Sequence, residues 1–75
     1  MSFKPPLLSG KEIIKAFIRL GYRKVGQKGS HIKIKNDITE TILIIPDHKE
    51  VDRWTFKTIL KAAEISVKDF IKALK

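Results

Sequence analysis

The segment Gln27-Lys28-Gly29-Ser30-His31 gathers an imidazole, an ammonium group and a glycine turn within five residues. Lys33 and Lys35 follow His31 at the two-residue period that places side chains on one face of a strand. These groups suit the cleavage of RNA at a phosphodiester. A ribose 2′-hydroxyl is a poor nucleophile until a base takes its proton, and the departing oxygen needs a proton or a cation. Histidine, with an unperturbed pKa of about 6.5, serves either task near neutrality. Lysine ammonium groups and backbone N–H donors would stabilise charge on the phosphate. The same residues also read as an ordinary surface histidine on a solvated strand, since no acid–base partner accompanies His31 in the sequence.

Other candidate constellations are weaker. His48 falls in a polar loop, and nothing in the spacing requires it to meet His31. A metal site would have to draw on His31, His48, Asp47 and Asp37, which show no ligand spacing, so no metal is expected. Gly26-Gln27-Lys28-Gly29 matches the G-x-x-G that clamps nucleic-acid backbone between two helices in KH domains, but here it joins two strand-like segments. Trp54 beside Arg53 would stack on a base or pack on the core, and packing is the expectation.

The chemistry has to be carried by a small frame. The chain has 75 residues, room for one domain with one core, and no cofactor is expected. Zero cysteines exclude a disulfide scaffold, a thiolate metal site and a cysteine nucleophile. The longest apolar run, Ile42 to Ile45, is too short to span a membrane, so a cytoplasmic protein is the expectation. Net charge is +8, which favours a polyanionic partner, either nucleic acid or an acidic protein. The charge lies at both ends: residues 1–29 hold seven basic and one acidic residue, residues 30–50 three and four, residues 51–75 six and three.

Periodicity assigns the elements. Residues 1–8, with Pro5-Pro6, read as an extended leader, and residues 9–75 as one domain. Ser9 and Glu12 have capping-box spacing, and Ile13, Ile14, Phe17 and Leu20 form the apolar face of a first helix. Lys11, Lys15 and Arg19 line its outer side, and Gly21 stands where a left-handed cap belongs. Three strands are expected over Tyr22–Gln27, Ser30–Lys35 and Thr39–Ile45, the last ended by Pro46. Asn36-Asp37 marks a turn. Asp52 and Ser66 would cap two further helices, with apolar stripes Phe56, Ile59, Leu60, Ala63 and Val67, Phe70, Ile71, Leu74. The fold class is therefore α+β: a three-stranded antiparallel sheet in the order α-β-β-β-α, helices on one face, plus a short C-terminal helix.

At this point the chain resembles the HicA toxin family. The resemblance is carried by Ser9-Gly10-Lys11-Glu12-Ile13-Ile14, Leu20-Gly21-Tyr22, Lys28-Gly29-Ser30-His31, Pro46, His48-Lys49-Glu50-Val51, Thr55, Ile59-Leu60-Lys61-Ala62-Ala63 and Ile65-Ser66-Val67. It covers residues 9–70. It implies a double-stranded-RNA-binding-domain-like fold and a metal-independent mRNA interferase, held inactive by an acidic HicB-like antitoxin. The family's catalytic histidine falls at His31, and Lys28, Gly29 and Ser30 match the motif that would shape the phosphate site. Lys33, Lys35, Lys11 and Lys15 complete the expected RNA-binding set. Where many members begin the second helix with Pro-Gly-Thr, this chain has Arg53-Trp54-Thr55. A monomer is expected, free or with its antitoxin. The competing readings are a non-catalytic RNA-binding module and a basic protein that binds an acidic partner.

Overall fold

A computed structural model describes residues 7–75. The elements run α1 (Gly10–Arg19), β1 (Tyr22–Lys28), β2 (His31–Asn36), β3 (Ile42–Pro46), α2 (Arg53–Ala63) and α3 (Val67–Leu74). The strands form one antiparallel sheet in the order β1-β2-β3, and the architecture is the expected α+β arrangement. Of the expected leader, residues 1–6 lie outside the described residues. Leu7 and Leu8 are half-buried, and the Leu8 carbonyl accepts from the Val51 N–H at 2.8 Å.

Each helix begins on a side-chain cap that satisfies otherwise orphaned backbone donors. Ser9 Oγ accepts from the Glu12 N–H at 3.1 Å, and the Ser9 N–H donates to Glu12 Oε1 at 2.9 Å, closing the capping box. Asp52 accepts from the Thr55 N–H and Ser66 from the Asp69 N–H. The helix-to-strand reversal after α1 uses Gly21 at φ 101°, a conformation side-chain-bearing residues rarely adopt.

One face of the sheet is apolar, and the helices cover it. Ile32, Ile34, Leu43 and Ile45 meet Ile13, Phe17, Ile59, Leu60 and Phe70 in one core. Phe17, Phe70, Ile13, Ile34 and Ile45 are fully enclosed. Phe17 packs edge-on against Tyr22 with ring centroids 5.1 Å apart. Phe70 lies 5.6 Å from Phe17 and 4.9 Å from Phe56.

Three local expectations are corrected. The third strand starts at Ile42 instead of Thr39, because Asn36 Oδ1 accepts from the N–H groups of Ile38 and Thr39 and holds the chain in a turn. Val67 and Ile71 are 49% and 47% exposed, so Phe70, and Leu74 in part, carry the buried stripe of α3. Trp54 is 76% exposed instead of packed, since the buried face of α2 runs through Phe56, Ile59 and Leu60. Arg19 is exposed on α1, as expected, and its guanidinium donates to the Ala73 carbonyl at 2.9 Å, which ties α1 to the end of α3.

Helix α1 approaches the end of β3 so closely that only glycine fits at position 10. A Cβ there would overlap the Pro46 carbonyl oxygen and lie 3.0 Å from its carbon and 3.2 Å from Asp47 Cα, all backbone atoms. The Gly10 N–H also donates to the His48 carbonyl at 2.9 Å. Gly10→Ala is therefore expected to cost about 1–3 kcal/mol, the range for overpacking against parts that cannot turn aside. Urea unfolding measures it, and a variant as stable as the parent chain would show that the approach is loose.

Candidate functional site

The β1–β2 hairpin is closed by two residues, Gly29 and Ser30, with Lys28 paired to His31. Gly29 has φ 58° at the first loop position, where a type II′ hairpin turn takes glycine because its twist matches the strands. Directly paired residues of antiparallel strands point to the same side. Register therefore gives the composition of the face that no helix covers. Across the sheet it reads Lys28, His31, Pro46, then Gly26, Lys33, Ile44, then Arg23, Lys35, Ile42.

A β-bulge produces this grouping. The register shifts between Lys24 and Gly26, leaving Val25 without a partner. Strict alternation from the buried Tyr22 would send Lys28 to the core side and Gln27 outward. The extra residue reverses both. Lys28 comes to the open face beside His31, and Gln27 goes to the helix side, where its Oε1 accepts from the Lys24 ammonium at 2.8 Å.

Lys28, Gly29, Ser30, His31 and Lys33 are exposed, and Lys35 is half-buried. Among the described residues no hydrogen bond holds the His31 imidazole, and none joins it to His48. His48 lies in the loop after β3, whose path is fixed by the Asp47 N–H donating to the Ser30 carbonyl at 2.7 Å. Ile42 and Ile44, 53% and 46% exposed, form an apolar border on the β3 side. Gly26 contributes no side chain beside Lys33, and a Cβ there would meet nothing within 4 Å. The face thus offers an imidazole and three ammonium groups next to accessible backbone, a surface suited to a phosphodiester chain.

Lys11 and Lys15 do not join this face. They stand on α1 above the opposite side of the sheet, along a groove with Lys24, Gln27 and Asp47. Sequence reasoning grouped them with the His31 lysines because charge counting carries no information about sheet faces. It also passed over Arg23 and Lys24, and it set Gln27 beside His31, although the bulge turns Gln27 to the other side of the sheet. Arg23 is paired with Asp37, its Nε 2.7 Å from Oδ2 and its Nη2 3.2 Å from Oδ1. Among the described residues, no three His, Asp or Glu side chains gather as metal ligands would.

Three carboxyl groups are held below their ordinary pKa. Glu12 is lowered chiefly by the hydrogen bond from the Ser9 backbone, Asp52 by that from the Thr55 backbone. Asp37 is lowered chiefly by the hydrogen bond from Arg23, which outweighs the opposing desolvation, with smaller help from the Arg23 and Lys35 charges. A folded pKa below the unfolded one gives stability that is present above the unfolded value and lost as pH falls through the folded one. The melting temperature is therefore expected to hold from neutrality to about pH 5 and to fall below about pH 4. A thermal scan across pH 7 to about pH 2 checks this; a melting temperature that rises on acidification would refute it.

No curated protein matches the chain. The family model described as HicA toxin of bacterial toxin-antitoxin matches residues 10–65. That match runs from the first residue of α1 through the hairpin bearing Lys28 and His31 to the end of α2, leaving α3 outside it. With three-quarters of its length so matched, the chain belongs to the HicA toxin family of bacterial toxin–antitoxin pairs, which implies an antitoxin partner.

Proposed function

We propose that the chain is an endoribonuclease that cleaves mRNA on the open face of its sheet, with His31 as the group that moves the proton. The observation that carries this reading is the register that sets Lys28 directly opposite His31 on the uncovered face. The His31 imidazole accepts the proton of a ribose 2′-hydroxyl, and the 2′-oxygen attacks the adjacent phosphorus. The bond from phosphorus to the 5′-oxygen breaks, the ammonium group of Lys28 gives that departing oxygen its proton, and exchange with water returns the proton on His31 to Lys28 for the next cycle. Lys33 and Lys35 hold the neighbouring phosphates, and the Gly29-Ser30 turn lets the RNA backbone approach. The reaction uses no cofactor and no metal. An acidic HicB-like antitoxin in the cytoplasm would meet the same cations, so that inhibitor and RNA compete for the face, and the chain acts as a monomer.

The test is incubation of the purified protein with single-stranded RNA in EDTA. Fragments ending in a 2′,3′-cyclic phosphate and beginning with a 5′-hydroxyl are expected. RNA left intact at high enzyme concentration would overturn the reading. A second reading, RNA binding without cleavage, is favoured by one observation: among the described residues His31 has no hydrogen-bonded partner. Binding of intact RNA without cleavage would decide for it.

A further inference from the structure

On the helix side of the sheet, α1 and the edge strand β1 enclose a groove of about 450 Å³. Its floor is apolar, formed by the buried Ile14 and Ile32 with the half-exposed Ile18 above them, and it is lined by the cations Lys11, Lys15 and Lys24. Lys24 is held in place: it donates to Gln27 Oε1 at 2.8 Å, and Gln27 Nε2 donates to the Gly29 carbonyl at 3.0 Å. Two hydrogen bonds therefore link the groove's cation to the turn whose other face presents Lys28 and His31.

The composition selects a ligand. Three cations call for an anion, but exposed Ile18 and the floor beneath it call for an apolar body attached to that anion. Asp47, also on the groove, supplies an acceptor that would repel a bare phosphate and that the exocyclic amine of a base would satisfy. A phosphate and a flat, amine-bearing base occur together in a nucleotide. Asp47 further places the groove next to the His31 face, because its N–H donates to the Ser30 carbonyl in the hairpin turn.

We infer that this groove is a second RNA subsite, which takes a nucleotide flanking the one at His31 as the strand passes over the Gly29-Ser30 turn from one face of the sheet to the other. The inference rests on the proposed ribonuclease reading for the identity of the strand, and it assigns Lys11, Lys15 and Lys24 to affinity and not to the chemical step. An isolated nucleotide would satisfy the same groove chemistry; the passage over the turn is what requires a continuous strand.

The test uses single strands of 2′-O-methyl RNA, which cannot be cleaved, three and twelve nucleotides long, with binding read by fluorescence anisotropy. The groove variant is Lys11→Gln, Lys15→Gln and Lys24→Gln together. The control carries the same loss of charge on the other helices, Lys61→Gln, Lys68→Gln and Lys72→Gln. The parent chain is expected to bind the longer strand far more tightly, and the groove variant to lose about tenfold or more of that advantage. The slope of log K against log[salt] should fall by about 2 for three lost contacts at roughly 0.7 each. The control variant should keep both. Equal losses in the two variants would overturn the subsite, as would a groove variant that weakens both strand lengths alike, since that describes a site for isolated nucleotides. Binding that depends on the groove in a chain that cleaves no RNA would uphold the subsite and sink the nuclease; cleavage with no groove dependence would do the reverse.

Discussion

Replacing His31 by alanine is expected to lower the rate of RNA cleavage by about 10²–10⁴-fold and to leave the melting temperature within a few degrees of the parent chain. The two halves of this expectation have separate causes. A positioned base is worth that much because without it the 2′-hydroxyl must lose its proton to water. Stability is spared because the His31 side chain is exposed and makes no hydrogen bond among the described residues. A cleavage gel in EDTA and a thermal melt on the same preparation measure both. Equal cleavage by the two proteins would remove His31 from the chemistry, and an unfolded variant would show that the residue had a packing role.

Phe70→Ala is expected to destabilise the protein by about 3–5 kcal/mol, the cost of emptying a phenylalanine-sized space in a core that cannot collapse to fill it. A domain of this length has roughly 4–11 kcal/mol in total, so a large part of the population should unfold on warming. Phe70 is fully enclosed, with ring contacts to Phe17 on α1 and Phe56 on α2. Its loss would remove the ring contacts that join α3 to both other helices. Ile71→Ala is the control, since its half-exposed side chain has little burial to lose. Urea unfolding of the two variants measures the difference, and a Phe70→Ala protein within about 1 kcal/mol of the parent would show that α3 is dispensable. Phe70 also lies beyond residues 10–65, so this chain draws a main packing anchor from outside the segment that the family match covers.

Helix boundaries were legible in the sequence because their causes are local. Ser9 with Glu12, Asp52 and Ser66 satisfy backbone donors three residues away, a distance no distant contact alters. The core faces of α1 and α2 followed from apolar spacing for the same reason. Only part of the α3 stripe is buried, because periodicity marks which side chains share a face, not how much of that face a neighbour covers. Trp54 shows the same limit, since a large apolar residue near a helix start is buried only if another element reaches it.

The candidate site divides along the same line. Alternation, a property of the extended backbone, already places His31, Lys33 and Lys35 on one side of a strand when only the residue order is known. The glycine turn before His31 and the excess of cations are likewise plain in the sequence. Tertiary structure alone decided which cations accompany the imidazole. The bulge at Val25 costs one residue of register, and with a side-chain period of two that single residue moves Lys28 beside His31 and Gln27 to the far side with Lys24. Lys11 and Lys15 went with the helix that must cover the apolar face, and so to the opposite side of the sheet from His31. A bulge is set by how two strands pair across space, and that pairing is written in no single stretch of sequence.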